Sequence, residues 1–368
     1  MRVPVVAEHG RWGVDRTRGK RIAAVRRVQP CTGIGHAVAH GPYPETVHRI
    51  AFVFPGQGSQ SVGMGQTLAG SSPAAAAVFA AADAALGEPI ADLAWNGPVE
   101  RLDLTENAQP ALVATSVAIL EAMREGVAAA GRDLPEPSFA AGHSMGQYTA
   151  MVAAGALGLA DAVRLVRERG RLMQASGRGR DGAMAALIGL DDARLPELVA
   201  AASSHGVFVV ANRNAPGQVV VSGERTAVET GAELAKTLGA RRAIVLPVSV
   251  AAHSPLMAEA ADGLRLVLQT IEFRDPRVPL LANADGRPIT TADGCRAELV
   301  EHLTAGVDWV GAVERMTAGG VTTFVEVGPG KVLTGLIKRI ATEADVIPAD
   351  DPGIVGRLLS IEAEVPSA

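Results

Sequence analysis

A serine between two glycines, in the pattern G-x-S-x-G, constrains this chain more than any other feature. The pattern occupies residues 142–146, with Ser144 at its centre. An apolar run around Phe139 precedes it, and a helix-like segment from Gln147 to Gly155 follows. A strand, a sharp turn and a helix form the context in which this pattern exposes a serine at a strand end. The start of that helix would direct N–H groups and a positive dipole end at an oxyanion. A chance Gly-Ser-Gly turn is the alternative, which the rest of the sequence must decide.

Length and composition allow a large core. The chain has 368 residues, of which 48% are hydrophobic and only 3% aromatic, so alanine, valine and leucine must build that core. No apolar run reaches the length of a membrane span. The two cysteines, Cys31 and Cys295, cannot form a disulfide framework or a metal site. We therefore predict a cytoplasmic protein without a metal, and no association with membranes.

Charge separates the N-terminal segment from the rest of the chain. The first 49 residues carry nine Lys or Arg and three Asp or Glu, whereas the whole chain has a net charge of −5. The acidic remainder gives no reason to expect a nucleic-acid partner. We interpret residues 1–48 as a disordered basic extension, or as an over-called start of translation. A transit peptide, or an arm that binds RNA or membranes, is a less favoured interpretation.

Strand and helix patterns alternate along residues 49–176 and 247–345, which predicts a single α/β core with a parallel sheet. The core begins with a buried strand that ends at Phe54 and continues into a Gly-rich turn, residues 55–60. Helices are predicted at about 73–86, 105–127 and 159–175, and later ones near 296–304 and 331–342. Residues 346–368 are predicted to be a frayed tail.

An inserted unit interrupts this core at residues 177–246. Its patterns follow the order β-α-β-β-α-β, with strands near 184–190, 206–212, 218–222 and 240–246. That order is the ferredoxin-like arrangement, so we predict a small ferredoxin-like subdomain within the larger fold.

A serine nucleophile needs a base, and three histidines follow Ser144 in the chain. His205 lies in a polar loop and His302 in a helix pattern, which favour a solvated and a packing role. His253 lies where the chain leaves the small subdomain, and a crevice between two such units is a common place for an active site. No acidic residue follows as a clear triad partner. A backbone carbonyl can instead hold the second imidazole N–H, so we predict a Ser144–His253 dyad.

Seven short motifs occur along the chain. In order, they are FPGQGSQ (54–60), TENAQPAL (105–112), GHSMG (142–146), RG (169–170), NAPGQVV (214–220), HSPLM (253–257) and EVGPGK (326–331). Together they resemble the motifs of malonyl-CoA:acyl-carrier-protein transacylases and of the related acyltransferase domains of polyketide synthases. The resemblance covers about residues 50–341 and implies an α/β-hydrolase-like core with an inserted ferredoxin-like subdomain.

The resemblance also assigns roles to residues. It makes Ser144 the acyl-accepting nucleophile and His253 the base that activates first this serine and later the thiol of the carrier's phosphopantetheine. The backbone N–H groups of Gln57 and Met145 match the oxyanion hole, where such donors stabilise a tetrahedral intermediate.

Arg169 matches the residue that pairs with the free carboxylate of malonyl, for which a guanidinium is suited by its two parallel donors. A charge on a solvated helix face is the alternative for this arginine. His143, Asn212 and Asn214 are predicted to line the same cleft. Asp308 corresponds to the residue whose carbonyl orients the histidine.

Taken together, the resemblance implies an enzyme that moves malonyl from malonyl-CoA to acyl carrier protein for fatty-acid synthesis. Coenzyme A enters as the substrate thioester, and no cofactor is expected. A monomer is predicted. The alternatives are an acyltransferase serving a polyketide synthase, an acyl-carrier or acyl-CoA hydrolase, and a non-catalytic docking subunit. Two positions depart from the family pattern: Gln147 stands where a glutamate is usual, and Met145 occupies a position that varies with the subfamily. Residues 250–252, just before His253, match neither of the common patterns that report on a branched acyl group. The small Ala252 would allow some methylmalonyl, but malonyl is the expected substrate.

Overall fold

A computed structural model describes residues 50–177, 181–248, 250–349 and 353–363. The predicted basic extension, 1–48, lies outside the described residues. The strands are β1 (Ile50–Phe54), β2 (Phe139–Gly142), β3 (Gly182–Ile188), β4 (Phe208–Ala215), β5 (Gln218–Glu224), β6 (Arg242–Val245), β7 (Leu280–Leu281), β8 (Pro288–Ile289), β9 (Val307–Asp308), β10 (Thr323–Glu326) and β11 (Asp345–Pro348).

The helices alternate with these strands along most of the chain. They are α1 (Gln66–Ser71), α2 (Pro73–Leu86), α3 (Ile90–Asn96), α4 (Val99–Leu102), α5 (Thr105–Ala129), α6 (Gly146–Ala153), α7 (Leu159–Gly177), α8 (Leu195–Ala202), α9 (Arg225–Thr237), α10 (Ala258–Leu268), α11 (Ala292–Thr304), α12 (Trp309–Ala318), α13 (Val332–Ile340) and α14 (Ile354–Ala363). Single 3₁₀ turns lie at Asp192–Arg194, Ser203–His205 and Pro255–Met257.

The larger sheet has the order β11-β10-β1-β2-β7-β8, and only the pairing of β8 with β7 is antiparallel. All five residues of β1 are buried, as expected for a central parallel strand with both faces covered. Because β1 and β2 run parallel, with Phe54 opposite Gly142, the turn after β1 and the turn after β2 meet at one sheet edge. This edge positions the candidate site.

Side chains alternate between the two faces of this sheet. Phe52 and Phe54 point into a core that includes Leu112 of α5, whereas Val53 points into a second core that includes Trp309 of α12. Helix α5 is buried along most of its length, and its apolar residues from Pro110 to Leu120 therefore lie on all sides of the helix rather than in one stripe.

The smaller sheet has the order β6-β3-β5-β4-β9. Its first four strands are antiparallel and, with α8 and α9, follow one another as β-α-β-β-α-β. The fifth strand, β9, pairs parallel with β4 and belongs to the C-terminal part of the chain. A two-residue strand carries little periodicity, so sequence patterns could not show this pairing. The boundaries of the subdomain stay a prediction.

The C-terminal segment differs from the frayed tail that was predicted to begin at residue 346. Strand β11 pairs in register with β10, and Ile347 is buried in the larger core. Helix α14 follows, and its Ile354 and Leu358 are also buried. These apolar residues are buried only by packing against distant parts of the folded chain. The local sequence, a short apolar pattern flanked by Pro and Asp, therefore suggested a tail. Among the described residues, no helix has both the length and the apolarity that crossing a membrane requires.

Candidate active site

The elbow forms as the sequence predicts, with Ser144 between β2 and α6 in a left-handed conformation, φ +52°. Its two flanking glycines are required by close contacts. A Cβ on Gly142 would overlap the backbone of Gly146 and Gln147, and one on Gly146 would overlap the carbonyl of Phe54. The tight turn therefore depends on small residues at both positions, and it holds the serine in a strained conformation that is common at functional sites.

Ser144 and His253 meet although 109 positions separate them in the chain. The distance from Ser144 Oγ to His253 Nε2 is 2.8 Å, and the imidazole is buried. Among the described residues, these two are the only non-glycine residues with positive φ. The structure thus brings together the serine and the histidine that were proposed as a dyad. His205, by contrast, is exposed in its 3₁₀ turn.

Backbone carbonyls orient the histidine, as expected for a dyad, but they are not the carbonyl predicted. His253 Nδ1 lies 2.6 Å from the carbonyl oxygen of His302 and 3.2 Å from that of Ala305, so it carries the proton and donates to them. Asp308 was predicted to supply this acceptor, and that prediction is wrong. Its carboxylate instead caps α12 through the N–H of Gly311 and pairs with Arg213.

The buried imidazole stays neutral. Burial and, to a smaller extent, the nearby guanidinium of Arg169 together lower the pKa of His253 to about 3, although the two carbonyls raise it. A neutral imidazole with its proton on Nδ1 presents the lone pair of Nε2 to the serine, which is the state that a general base needs.

We predict that ester formation on Ser144 is insensitive to moderate acid. A base works only while neutral, so activity is lost as the pH falls through its pKa; with that pKa far below 6.5, the single-turnover acylation rate should be flat from about pH 8 to about pH 5. Rapid-quench mass spectrometry measures this rate, and a melting curve at each pH checks that the chain is folded. An acid limb centred near the ordinary histidine value would contradict the prediction.

Arg169, on α7, is a buried cation beside the nucleophile. It is 2% exposed, its Nη2 donates to Ser144 Oγ at 3.2 Å, and its Nη1 donates to Gln109 Oε1 at 2.9 Å. No carboxylate of the described residues forms a salt bridge with it. Its buried neighbour Arg167, in contrast, pairs with Glu88 at 2.8 Å. Burial lowers the pKa of Arg169, and a buried guanidinium of this kind is expected to need an anion.

The other residues predicted to line the cleft lie at different distances from Ser144 and His253. His143 Nε2 lies 2.8 Å from Asn214 Oδ1, which joins the elbow to the smaller sheet. Asn212 is buried in β4 beside an irregularity of the strand, and no hydrogen bond of the described residues joins it to the dyad. The turn after β1 lies against the elbow, because a Cβ on Gly56 would approach the carbonyl of His143 to 2.6 Å.

The two proposed oxyanion donors lie in this turn and at the start of α6. Met145 is the N-cap of α6, and Gln57 follows Gly56 in the turn after β1. Among the described residues, neither backbone N–H donates a hydrogen bond to another protein group. One unpaired donor in the turn and one at the start of α6 suit an oxyanion, although the side chain of Gln57 points elsewhere, to Thr105 Oγ1.

Two residues at the site were missed by the sequence analysis. Asn283 follows β7, and its Oδ1 accepts the backbone N–H of Ser144 at 2.8 Å. Gln109 holds Arg169 from α5, where it appeared only as one letter of a motif. Gln147 stands where the family pattern usually has a glutamate. Its side-chain oxygen accepts the N–H of Gly142, and its side-chain NH₂ donates to the carbonyl of Leu281. A glutamate could not donate the second bond.

Among the described residues, no cluster of His, Cys, Asp or Glu is arranged to hold a metal ion. Cys295 is buried in α11, and burial raises the pKa of its thiol to about 12, so it is not a reactive thiolate. Three groups lie together at this edge of the sheet: the hydroxyl of Ser144, the neutral imidazole of His253 and the buried guanidinium of Arg169.

Comparisons with known proteins show the family to which the chain belongs. The family described as "Acyl transferase domain" matches residues 51–359. The malonyl CoA-acyl carrier protein transacylase of Bacillus subtilis (strain 168) is 44% identical over 306 residues, which are 83% of this chain and 94% of the relative. That of Escherichia coli (strain K12) is 44% identical over 313 residues, 85% of this chain and 99% of the relative.

Solved structures have the same fold. An acyl carrier protein S-malonyltransferase from Vibrio cholerae superposes with a TM-score of 0.78 at 42% identity, over 82% of this chain and 96% of the other. The fold, the elbow serine and its histidine define a serine acyltransferase. Within that class, the chain belongs to the malonyl CoA-acyl carrier protein transacylase family.

Proposed function

We propose that this protein transfers a malonyl group from malonyl-CoA to the phosphopantetheine thiol of acyl carrier protein. The observation that carries the proposal is the buried guanidinium of Arg169, which lies 3.2 Å from the nucleophilic oxygen and has no acidic partner among the described residues. A dicarboxylic monothioester supplies both the reactive carbonyl and the missing anion. An acetyl or fatty acyl group supplies only the first.

In the first half-reaction, Ser144 Oγ attacks the thioester carbon while His253 Nε2 takes the hydroxyl proton. The carbonyl oxygen becomes an oxyanion, which the N–H groups of Gln57 and Met145 stabilise. The C–S bond then breaks, and His253 gives its proton to the departing thiolate of coenzyme A. The product is a malonyl ester on Ser144 and a neutral imidazole, ready for the second half-reaction.

The second half-reaction runs the same steps in reverse with a different thiol. His253 removes the proton of the phosphopantetheine thiol, and the sulfur attacks the ester carbon. Collapse of the second oxyanion returns the proton to Ser144 and leaves malonyl on the carrier. A similar malonyl-transacylase was solved in complex with its type II polyketide synthase acyl-carrier protein, which supports the proposal that a carrier protein is the acceptor. That relative has a TM-score of 0.79 at 40% identity, over 84% of this chain and 99% of the other.

Arg169 supports selection of the acyl group. Its guanidinium can turn from Ser144 Oγ toward a carboxylate, because its hydrogen bonds within the described part of the chain go to Gln109 and Ser144 alone. Two charge-assisted bonds to malonyl would also place the thioester carbon beside the nucleophile. Ala252, directly before His253, is small, so methylmalonyl is expected as a poorer substrate.

We propose fatty-acid synthesis as the pathway supplied, and the relative solved with a polyketide carrier makes polyketide synthesis the second candidate. A cytoplasmic monomer that uses no metal and no cofactor remains our prediction from the sequence. Malonylation rates with carriers of the two pathways, measured side by side, distinguish the candidates.

One experiment tests the function directly. Intact-mass analysis after mixing with malonyl-, methylmalonyl- or acetyl-CoA should find one malonyl group on the protein, less methylmalonyl and no acetyl. Addition of holo carrier protein should then move the malonyl group to the carrier. Release of free malonate as the main product would identify a hydrolase instead, and absence of any acyl-enzyme would favour a docking subunit.

A further inference from the structure

Helix α11 carries a buried carboxylate that the proposed mechanism does not use. Glu298 is fully buried, and its Oε1 accepts two hydrogen bonds from Asn283, one from the backbone N–H at 2.7 Å and one from Nδ2 at 3.2 Å. A buried carboxylate is costly unless hydrogen bonds compensate it. Both of these bonds go to one residue, which suggests that the carboxylate fixes that residue in place.

Asn283 in turn contacts the nucleophile. Its Oδ1 accepts the backbone N–H of Ser144 at 2.8 Å, at a residue whose φ of +52° needs support from its surroundings. An asparagine amide can flip, which would present NH₂ where the oxygen now lies. Glu298 offers only an acceptor to Nδ2, so it selects the orientation in which Oδ1 faces the serine N–H.

The same helix also contacts the base. One turn after Glu298, the carbonyl of His302 accepts the Nδ1 proton of His253 at 2.6 Å. The carboxylate is thus part of a single rigid element that fixes both halves of the dyad. The serine is held through Asn283, and the histidine is held through a backbone carbonyl.

We propose that Glu298 is a positioning residue for the transfer reaction: through Asn283 it holds the backbone of Ser144 so that Oγ stays aligned with His253. This inference rests on the proposed function. Glu298 touches neither substrate nor the reacting atoms, so it affects the rate of serine attack rather than the binding of malonyl-CoA. That binding depends on Arg169, and no hydrogen bond of the described residues joins Arg169 to Glu298 or Asn283.

The role needs an acceptor oxygen at Glu298 and not a negative charge. Burial raises the pKa of Glu298 to about 7, and burial lowers the pKa of the adjacent His302 well below its usual value, so that imidazole is neutral. His302 Nδ1 lies 3.8 Å from Glu298 Oε1, too far for a hydrogen bond. Whether ionised or protonated on Oε2, Glu298 keeps Oε1 as an acceptor for Asn283. Glutamine retains such an oxygen, whereas leucine fills the space without one.

The test compares Glu298→Leu with Glu298→Gln in single-turnover formation of the malonyl ester. We expect Glu298→Leu to lower the maximal acylation rate by about 10- to 100-fold with an unchanged half-saturating malonyl-CoA concentration. Glu298→Gln should stay within a few-fold of wild type. Glu301→Ala is the matched control, because Glu301 lies on the same helix and pairs with Arg287 at the surface. Its rate should equal that of wild type.

A double-mutant cycle tests whether Glu298 acts through Asn283. Asn283→Ala should also slow acylation, and the double variant Glu298→Leu/Asn283→Ala should be no slower than Asn283→Ala alone. If the leucine variant does not fold, Asn283→Ala and Glu298→Gln still decide, because the first must slow acylation and the second must not. A wild-type rate in Glu298→Leu or in Asn283→Ala, multiplicative losses in the double variant, or an equal loss in Glu298→Gln would overturn the proposal.

The wild-type arm separates this inference from the function on which it rests. Should wild type form no malonyl ester, the proposed transfer itself fails. Should wild type form the ester at a rate that none of these variants changes, only the positioning role of Glu298 fails.

Discussion

Replacement of Ser144 with alanine should abolish the malonyl-enzyme and lower carrier malonylation by about 10⁴- to 10⁶-fold. In the proposed mechanism, this hydroxyl is the group that accepts the acyl chain. It is also the group, 2.8 Å from His253 Nε2, whose proton the imidazole removes. The neighbouring donors would still bind the substrate, so the half-saturating concentration of malonyl-CoA should change little. Intact-mass analysis measures the ester, and a radiolabel assay measures transfer to the carrier.

Ser204→Ala is the matched control for this experiment. Ser204 is exposed in its 3₁₀ turn, and its hydroxyl donates to the carbonyl of Ala201. This variant should form the ester at the wild-type rate. An ester that persists in Ser144→Ala would show that another residue accepts malonyl, and the dyad assignment would then be wrong.

Replacement of Arg169 with alanine should change which acyl group is transferred. We expect kcat/KM for malonyl-CoA to fall by about 100-fold, because a charge-assisted pair with the substrate carboxylate is lost. Acetyl-CoA has no carboxylate, so its transfer or hydrolysis should rise. The quantity to measure is the ratio of the two kcat/KM values, because partial unfolding lowers both and cancels in the ratio.

Arg171→Ala controls for the loss of a positive charge from the same helix. Arg171 is exposed, and its contacts to Glu88 and Glu106 are 3.9 and 3.8 Å long. Salt bridges of this kind contribute little, so the acyl preference should not change. Equal losses for malonyl and acetyl in Arg169→Ala would refute the role of this residue as a carboxylate clamp.

Much of the site could be predicted because its features are local. The elbow requires two glycines within five residues, and the left-handed Ser144 follows from the contacts that those glycines permit. His253 could be proposed from its place at the exit of the inserted segment. Helix α2 begins and ends where the pattern predicted, at Pro73 and Leu86, because Ser72 caps it and Gly87 ends it in a left-handed conformation.

Other features depend on contacts between distant segments. The carbonyl that orients His253 belongs to His302, which the helix pattern presented only as a packing residue. A carbonyl has no sequence signature, since every residue carries one. Asn283 and Glu298 do not belong to a recognisable sequence motif either. Their roles depend on contacts that form only where β7 and α11 approach the elbow.

The sequence by itself predicted the α/β alternation, the candidate nucleophile in its elbow and the candidate base at the exit of the inserted segment, because residue type and local pattern indicate each of them. The resemblance to the acyltransferase family singled out Arg169 as the candidate cation. Only the tertiary structure decided that Arg169 lacks an acidic partner among the described residues, that β9 and β11 complete the two sheets, and that α11 supports both halves of the dyad. Burial and long-range pairing create these properties, and they exist only once segments far apart in the chain have packed together.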